Sequence, residues 1–376
     1  MSSSSTTTRL FVSCAGALES LLVDELKELG ISGIEQSFRG IFLPKKIENV
    51  YLVNYASRIA TRVLWPLCSF LCPDKESLYQ GVRTINWKEY LNPKMTFSID
   101  ANVTPHPTIK NSHFAALIVK DAICDSQRET FNARSSVDLS NPDLQLNLFL
   151  HKGKATLYLD TSGQPLFKRG YRIATGEAPL QESLAAAILR FAKFDPENDI
   201  LADPFAGSGT FLIEAAMMAT RTPAGFFRKR FGFEAMPEFS VPSWKAIKDE
   251  LDSKRSPLPP GRFFGADQDV SSVELCRKHL DRTGFGAIDI ITRPVERFRP
   301  KRNPSLIVAN PPYGKRLEQS KNLFANFKQF LEATEPKAAY FLTPAGQHID
   351  MPCRKAFSCL NGGLEVDLLA KFASPL

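Results

Sequence analysis

Residues 200–220 read ILADPFAGSGTFLIEAAMMAT, and this stretch decides the fold of the second half of the chain. A short apolar strand is predicted to end at Asp203, a turn containing Gly207 and Gly209 follows, and a helix begins at Thr210. Glycines in such a turn let backbone N–H groups approach a ligand closely. A phosphate-binding loop would carry a lysine after the last glycine, and a dinucleotide fingerprint would carry a third glycine; neither is present. The acidic strand end suits a cationic ligand instead.

Strands and helices alternate outward from this turn. The pattern predicts short apolar strands at residues 199–203, 262–267, 288–292, 306–309 and 338–343, with helices at residues 210–220, 270–283 and 321–334. Such alternation predicts a parallel sheet with crossover helices. The last two strands, residues 355–360 and 364–372, flank a tight-turn signal, Asn361-Gly362-Gly363, which predicts an antiparallel hairpin. The fold class is therefore α/β with an antiparallel last strand, unlike most nicotinamide-dependent dehydrogenases.

A second acidic residue stands at the end of the next predicted strand, where Asp267 closes the segment FFGAD. A carboxylate at this position can accept hydrogen bonds from both hydroxyls of a ribose. The alternative is that Asp267 or Asp269 merely caps the following helix. We assign the cap to Asp269 and the ribose to Asp267.

The segment ANPPYG, residues 309–314, follows the fourth strand and carries the candidate chemistry. An asparagine before two prolines holds two carbonyl oxygens in a rigid geometry. Those two acceptors can bind both protons of an exocyclic amine, which turns the nitrogen lone pair toward an electrophile. A tyrosine offers a flat face for a base swung out of its stack. The alternative is a structural proline-rich turn. The candidate catalytic residues are Asn310, Pro311, Pro312 and Tyr313.

The composition is that of a globular protein with an anionic partner. The chain has 376 residues, enough for two or three domains, of which 43% are hydrophobic and 23% charged. A net charge of +7, spread over both halves, favours nucleic acid as the partner. The longest apolar runs, such as residues 114–119, are six residues long. A membrane span of about twenty residues is therefore not expected.

The cysteines and histidines predict neither a disulfide framework nor a metal site. Seven cysteines and five histidines are scattered, and no C-x-x-C pair occurs. Buried thiols in a reducing compartment are the better interpretation, so we expect a cytoplasmic protein. Residues 1–8 lack a basic segment followed by an apolar one, and they are predicted to be a short disordered tail.

The first half of the chain divides into two regions. Residues 9–65 run strand, helix, strand, helix. Residues 66–165 contain short strands, with a helix at residues 112–125 and a hairpin signal at Lys152-Gly153.

Basic residues cluster at three places. The segment FFRKRFGF, residues 226–233, either grips an RNA backbone and stacks on bases or forms a lid whose phenylalanines pack. The basic residues around residue 170 either contact RNA or pair with acids at the junction of the two halves. A further pair directly follows the catalytic turn. The candidate RNA-binding residues are Lys168, Arg169, Arg172, Arg228, Lys229, Arg230, Lys315 and Arg316.

These motifs resemble a known family. The resemblance is carried by RGYR at residues 169–172, GEAPLQESLAAA at residues 176–187, residues 203–216, and NPPYGKRL at residues 310–317. The sequence resembles class I S-adenosylmethionine-dependent methyltransferases that act on an amino nitrogen. More closely, it is similar to the bacterial THUMP-domain RNA methyltransferases that act on a guanine of large-subunit ribosomal RNA. The similarity covers nearly the whole chain and is specific in the second half.

The resemblance implies three domains: a ferredoxin-like module (9–65), a THUMP RNA-binding domain (66–165) and a Rossmann-like catalytic domain (170–376). It implies S-adenosylmethionine as cofactor and ribosomal RNA, or an assembling large ribosomal subunit, as partner. The implied target is the N2 amine of guanine in 23S ribosomal RNA. The cofactor-binding residues implied are Ala178, Pro179, Glu182, Asp203, Pro204, Phe205, Ala206, Gly207, Ser208, Gly209, Thr210, Asp267 and Gln268.

Two other activities stay open at this point: methylation of adenine N6 in RNA or DNA, and a non-catalytic role as an RNA-binding ribosome-assembly factor. One position departs from the family pattern. Where the family carries an Asp opposite the adenine amino group, this chain has Pro294. Glu296 or a backbone carbonyl would then make that contact.

Overall fold

The computed structural model describes residues 8–174, 180–312 and 322–373. Within these residues the first half forms a sheet of eight strands in the order β2-β3-β1-β4-β8-β7-β5-β6. The strands are β1 (Arg9–Ser13), β2 (Glu35–Ser37), β3 (Gly40–Pro44), β4 (Arg62–Leu71), β5 (Thr96–Val103), β6 (Ser136–Val137), β7 (Leu144–His151) and β8 (Lys154–Asp160). The helices are α1 (Glu19–Glu28), α2 (Ile47–Ala56), α3 (Lys75–Arg83) and α4 (Ser112–Phe131).

Strand β4 joins the two N-terminal regions into one sheet. Its first residues pair with β1, and the rest of the strand pairs with β8. The ladder shifts register between Pro66 and Cys68. Such an irregularity accommodates a proline, which has no N–H to donate, inside a sheet. The predicted boundary between residues 65 and 66 lies inside this strand.

The second half forms a seven-stranded sheet in the order β11-β10-β9-β12-β13-β15-β14. Its strands are β9 (Leu201–Asp203), β10 (Phe263–Asp267), β11 (Asp289–Thr292), β12 (Leu306–Ala309), β13 (Ala338–Pro344), β14 (Arg354–Asn361) and β15 (Leu364–Phe372). Its helices are α5 (Glu182–Phe191), α6 (Thr210–Ala219), α7 (Val241–Ser253), α8 (Val270–Thr283) and α9 (Leu323–Thr334). The first five strands are parallel, and β15 runs antiparallel to both β13 and β14. The predicted fold class is confirmed.

The strand order places a crevice at the carboxyl end of this sheet. From β9 the chain proceeds outward through β10 and β11, and it then returns to place β12 on the other side of β9. Leu306 pairs with Leu201, and Ile307 pairs with Ala202, so both strands end at the same edge. Ligands of open α/β sheets bind at such a reversal of strand order. Asp203 and Asn310 end these two neighbouring strands.

The halves are held together by an aromatic cluster between α2, α7 and the segment 226–233. Ring centroids in this cluster lie 5.0–6.3 Å apart, and its members are Tyr51, Tyr55, Phe231, Phe233, Phe239 and Trp244. The Tyr55 hydroxyl also donates to Asp252 Oδ1 at 2.7 Å. Phe231 and Phe233 are therefore packing residues, which favours the lid interpretation of their segment over base stacking.

The described residues contain neither a helix that could span a membrane nor a cluster that could hold a metal ion. No helix there is both long enough and apolar enough to cross a bilayer. No group of three or more His, Cys, Asp or Glu side chains there is arranged to hold a metal ion. The seven cysteines are free thiols, and all but Cys353 are buried.

Candidate active site

The glycine turn between β9 and α6 is built from backbone hydrogen bonds. Ala206 N–H donates to the carbonyl of Ala266 at 2.9 Å, which ties the turn to β10. Gly207 and Gly209 have φ angles of +50° and +86°, where L side chains are strained. A Cβ on Gly209 would lie 2.5 Å from Cys276 Sγ, whereas a Cβ on Gly207 would meet no atom within 4 Å. The turn thus packs on α8 at Gly209 and is open at Gly207.

Asp203 lies buried at the base of this turn, with 1% of its surface exposed. Its Oδ1 accepts the Phe205 N–H at 3.0 Å. Burial raises the pKa of Asp203 well above its usual value, and the negative charge of Asp267 adds to this rise. A cation bound beside Asp203 and Asp267 would favour the charged form of Asp203.

Asp267 bridges β10 and the glycine turn. Its Oδ2 accepts the Gly207 N–H at 2.8 Å, and its Oδ1 accepts the Asp269 N–H at 3.0 Å. Asp269 is the N-cap of α8 and accepts the N–H groups of Ser271 and Ser272. Hydrogen bonds from these two serines lower the pKa of Asp269 to about 2. The assignment of the cap to Asp269 is confirmed; the ribose contact of Asp267 stays a prediction.

Arg172 connects the junction between the two halves to the same turn. Its Nε pairs with Glu182 Oε1 at 2.6 Å, its Nη1 donates to Ser208 Oγ at 3.1 Å and its Nη2 donates to Thr210 Oγ1 at 2.9 Å. Because its guanidinium is mostly buried in these contacts, the RNA-binding role predicted for Arg172 is corrected. Arg172 pairs with an acid, the alternative given above for the basic residues around residue 170. It also holds the glycine turn in place.

His279 of α8, which the sequence pattern did not single out, completes this support. The ring is buried, its Nδ1 lies 3.1 Å from the Ser208 carbonyl, and its Nε2 accepts the Ile173 N–H at 3.1 Å. Nε2 must be unprotonated to accept, so Nδ1 carries the hydrogen and the ring is neutral. Burial lowers the pKa of His279 accordingly. The signal available in the sequence was its three-residue spacing from Cys276 on the buried face of α8.

Two more of the arginines predicted to bind RNA have structural roles. Arg169 is 1% exposed, and its guanidinium pairs with Glu214 and donates to the carbonyls of Leu166 and Arg58, so it cannot reach RNA. Arg228 is partly buried, and its guanidinium donates to four backbone carbonyls between residues 162 and 168. The remaining described candidates, Lys168, Lys229 and Arg230, are exposed.

Asn310 follows the last residue of β12. Its Oδ1 is buried and has no hydrogen-bond partner among the described residues. A buried amide oxygen without a partner costs free energy, and a donor from a bound ligand would remove that cost. Pro311 is buried and Pro312 is half-buried, as expected for a stiff turn. This arrangement can accept a hydrogen bond from an amine donor.

The other predicted cofactor residues are placed as follows. Pro204, Ala206 and Thr210 are buried, Phe205 packs against Phe327 at 5.4 Å between centroids, and Gln268 is exposed beside Asp267. Glu296 is half-buried just after Pro294. Five predicted site residues lie outside the described residues: Ala178, Pro179, Tyr313, Lys315 and Arg316.

Comparison with known proteins identifies three matching regions. Residues 9–64 match an RlmL ferredoxin-like domain, and residues 72–160 match a THUMP domain. Residues 169–343 match the RMKL-like methyltransferase domain UPF0020.

Curated relatives extend over most of the chain. The "Putative RNA methyltransferase slr0064" of Synechocystis sp. is 32% identical, over 97% of this chain and 97% of its own length. The chain belongs to the THUMP-domain methyltransferase family. Two "Ribosomal RNA large subunit methyltransferase K/L" relatives are also similar. That of Psychromonas ingrahamii is 38% identical over 82% of this chain and 41% of its own length, and that of Pseudomonas aeruginosa is 34% identical over 96% and 52%. The chain thus spans about half the length of these K/L relatives.

Solved structures share the fold of this THUMP-domain methyltransferase. SMU.472, described as "a putative methyltransferase complexed with SAH", has a TM-score of 0.82 and 27% identity over 99% of this chain and all of its own. A "possible methylase from Clostridium difficile 630" has a TM-score of 0.81 and 25% identity, over 98% of both chains.

The cofactor of this class I methyltransferase fold is S-adenosylmethionine. The residues present fit it. The cation-favouring pair Asp203 and Asp267 matches its positive sulfonium and amino groups, and Asp267 also has the chemistry to accept ribose hydroxyls. The open face of Gly207 leaves room for close approach.

Proposed function

We propose that this methyltransferase modifies an exocyclic amine of a base in RNA, with guanine N2 of large-subunit ribosomal RNA as the target. The observation that carries the proposal is the buried Oδ1 of Asn310, at the strand end next to Asp203, which has no hydrogen-bond partner among the described residues. An amine proton satisfies that oxygen, and the neighbouring Pro311 carbonyl is the acceptor for the second proton.

The chemistry needs positioning more than proton abstraction. When bound, S-adenosylmethionine supplies an electrophilic methyl group whose bond to sulfur breaks as the bond to nitrogen forms. The two acceptors hold the amine so that its lone pair faces that methyl group. The surplus proton of the methylated nitrogen leaves to solvent. Tyr313 is proposed to stack on the extruded base.

The substrate class is supported by the relatives and by the N-terminal half. Curated relatives carry the names of an RNA methyltransferase and of large-subunit ribosomal RNA methyltransferases. A THUMP domain and a ferredoxin-like domain precede the catalytic sheet, and the chain carries a net charge of +7. Both features are appropriate to a protein that binds a polyanion. The choice of guanine N2 rests on the family resemblance.

The test identifies the product. The protein is incubated with labelled S-adenosylmethionine and unmodified large- or small-subunit ribosomal RNA, and the digested nucleosides are identified by mass spectrometry. We expect N2-methylguanosine from the large-subunit RNA only, and none from an Asn310→Ala control. N6-methyladenosine would show that the target base is wrong. Absence of cofactor binding by calorimetry would favour a non-catalytic RNA-binding protein.

A further inference from the structure

A groove lies where the THUMP strands meet the catalytic domain. It encloses about 550 Å³ and is lined from one side by residues 139–145 and from the other by residues 227–232. The junction residues 163–170 contribute Gly163, Lys168 and Gly170 to its wall. Arg62 of β4 and Ser98 of β5 also line it, so the groove is built from five separate parts of the chain.

Backbone contacts make the groove a fixed feature. The Arg228 guanidinium donates to the carbonyls of Ser162, Gln164, Pro165 and Lys168 at 2.8–2.9 Å. A Cβ on Gly170 would lie 2.4 Å from the Phe227 carbonyl. A Cβ on Gly232 would lie equally close to the Asp160 carbonyl. No side chain fits between these segments, so the junction residues and residues 227–232 are held tightly against each other.

The groove keeps positive charge after its internal ion pairs are counted. Arg62 pairs with buried Asp160 and Arg230 lies 3.7 Å from Asp143, so these cations are balanced by acids. Lys168, Arg228 and Lys229 also line the groove, and none of them has an acidic partner among the described residues. Arg228 donates only to neutral carbonyls there, and although burial lowers its pKa to about 10, it stays charged at neutral pH.

The rim provides uncharged groups of the kind that contact sugars and bases. Asn141 and Gln164 are exposed polar side chains at the opening, and Leu139 is 80% exposed. Three unbalanced cations flanked by amide groups match a strand of alternating phosphates and sugars. A compact anion would not need a groove of this length and mixed lining.

The junction segment links the groove to the candidate active site along the chain. The junction segment forms its wall at Lys168 and Gly170, and two residues later Arg172 contacts Ser208 and Thr210 of the cofactor turn. The segment that forms part of the groove wall therefore also contacts the glycine turn.

We propose that this groove binds the sugar–phosphate backbone of a single RNA strand next to the target base, with Lys168 and Lys229 as phosphate contacts. The proposal rests on the proposed RNA substrate and names where that RNA is held. Arg228 is a positioning residue that fixes the groove wall.

The test measures binding of a fluorescein-labelled single-stranded RNA of about 12 nucleotides by anisotropy over a salt series. The double variant Lys168→Gln/Lys229→Gln removes two phosphate contacts. The negative slope of log affinity against log salt should therefore become shallower by about 1.4, and the affinity at about 0.1 M salt should fall about 25-fold. The matched control is Lys27→Gln/Lys245→Gln, which removes two exposed lysines on α1 and α7. It should leave the slope unchanged. Cofactor affinity should be the same in all variants.

Equal loss of RNA affinity in both double variants would show a general charge effect and would refute the proposed RNA site. A wild-type protein that does not bind the oligonucleotide would also refute it. Methyl transfer to ribosomal RNA is measured in parallel. If the wild type transfers methyl groups but Lys168→Gln/Lys229→Gln binds RNA as well as the wild type, the proposed RNA site in the groove is refuted and the proposed reaction is not. If the double variant changes the salt slope but the wild type transfers no methyl group, the proposed reaction is refuted and the RNA site in the groove is supported.

Discussion

Arg169 and Glu214 form a buried, two-point ion pair between the domain junction and helix α6, with Nε–Oε1 and Nη2–Oε2 both at 3.2 Å. Both side chains are at most 1% exposed. Arg169 Nη2 also donates to the Arg58 carbonyl at 2.6 Å, and Arg58 Nη2 in turn donates to the carbonyls of Met217 and Thr222. The pair therefore ties the N-terminal sheet to the helix that follows the cofactor turn.

Breaking this pair from one side should be strongly destabilising. Arg169→Met leaves the Glu214 carboxylate buried without its partner, and we expect a loss of about 3–5 kcal/mol. Replacing both residues, as Arg169→Met/Glu214→Leu, should recover much of that loss because no charge stays buried alone. Urea unfolding followed by far-UV circular dichroism checks both values. Equal destabilisation by the single and double variants would contradict this account.

The two glycines of the cofactor turn should respond differently to alanine. Gly209→Ala meets both a left-handed φ and Cys276 Sγ, and it should cost about 2–4 kcal/mol. Gly207→Ala meets only the backbone strain and should cost about 1–2 kcal/mol. Adding Cys276→Ala to Gly209→Ala should recover part of the additional stability that Gly209→Ala loses relative to Gly207→Ala. The same unfolding measurement decides the matter, and identical values for both alanine variants would refute the packing argument.

The Asp203 carboxylate should lower the stability of the folded protein and raise its affinity for S-adenosylmethionine. Because burial raises its pKa in the folded protein, its contribution to stability is present below its ordinary pKa and is lost as pH rises through the raised value. Asp203→Asn should therefore be more stable than the wild type by about 1 kcal/mol at pH 8, with a smaller gain at pH 5. Its affinity for S-adenosylmethionine, measured by calorimetry, should fall about tenfold or more. A variant that is less stable at pH 8 would contradict the buried-charge argument.

His279 should have the opposite pH dependence. Its pKa is lowered on folding, so its contribution is full above its ordinary value of 6.5 and is lost as pH falls below that. His279→Gln can donate to the Ser208 carbonyl and accept from Ile173 but does not titrate. Thermal midpoints of wild type and variant at pH 7.5 and 5.5 isolate the effect. The thermal midpoint of the wild type should fall more between pH 7.5 and pH 5.5 than that of the variant. Equal falls would mean that the His279 ring does not titrate in this range.

The catalytic sheet was largely predictable because its strands are apolar runs ended by turn residues. Strands β12 and β15 have the predicted bounds, and the hairpin at Asn361 is antiparallel as predicted. Helix α7 escaped prediction, and none of its residues is fully buried. Strand β4 was not predicted across the boundary at residues 65 and 66, because a bulge that accommodates Pro66 depends on the partner strand.

Within the site, residues that act through local backbone geometry were predictable, and those that act through distant partners were not. Asp269 caps the helix that starts beside it. Arg169 was assigned to RNA because its partner, Glu214, lies 45 residues away and is identified only by the fold. His279 was missed for the same reason, since its partners lie on the cofactor turn and at Ile173.

The central claim is that Asn310 presents an amine to the methyl donor, and single-turnover transfer by Asn310→Ala tests it most directly. Wild type and variant are compared for cofactor affinity by calorimetry and for transfer to large-subunit ribosomal RNA. We expect transfer to fall by about 10²–10³-fold or more, with cofactor affinity within about twofold of wild type. Unchanged transfer, or parallel loss of affinity and transfer, would contradict the claim and make Asn310 a structural residue.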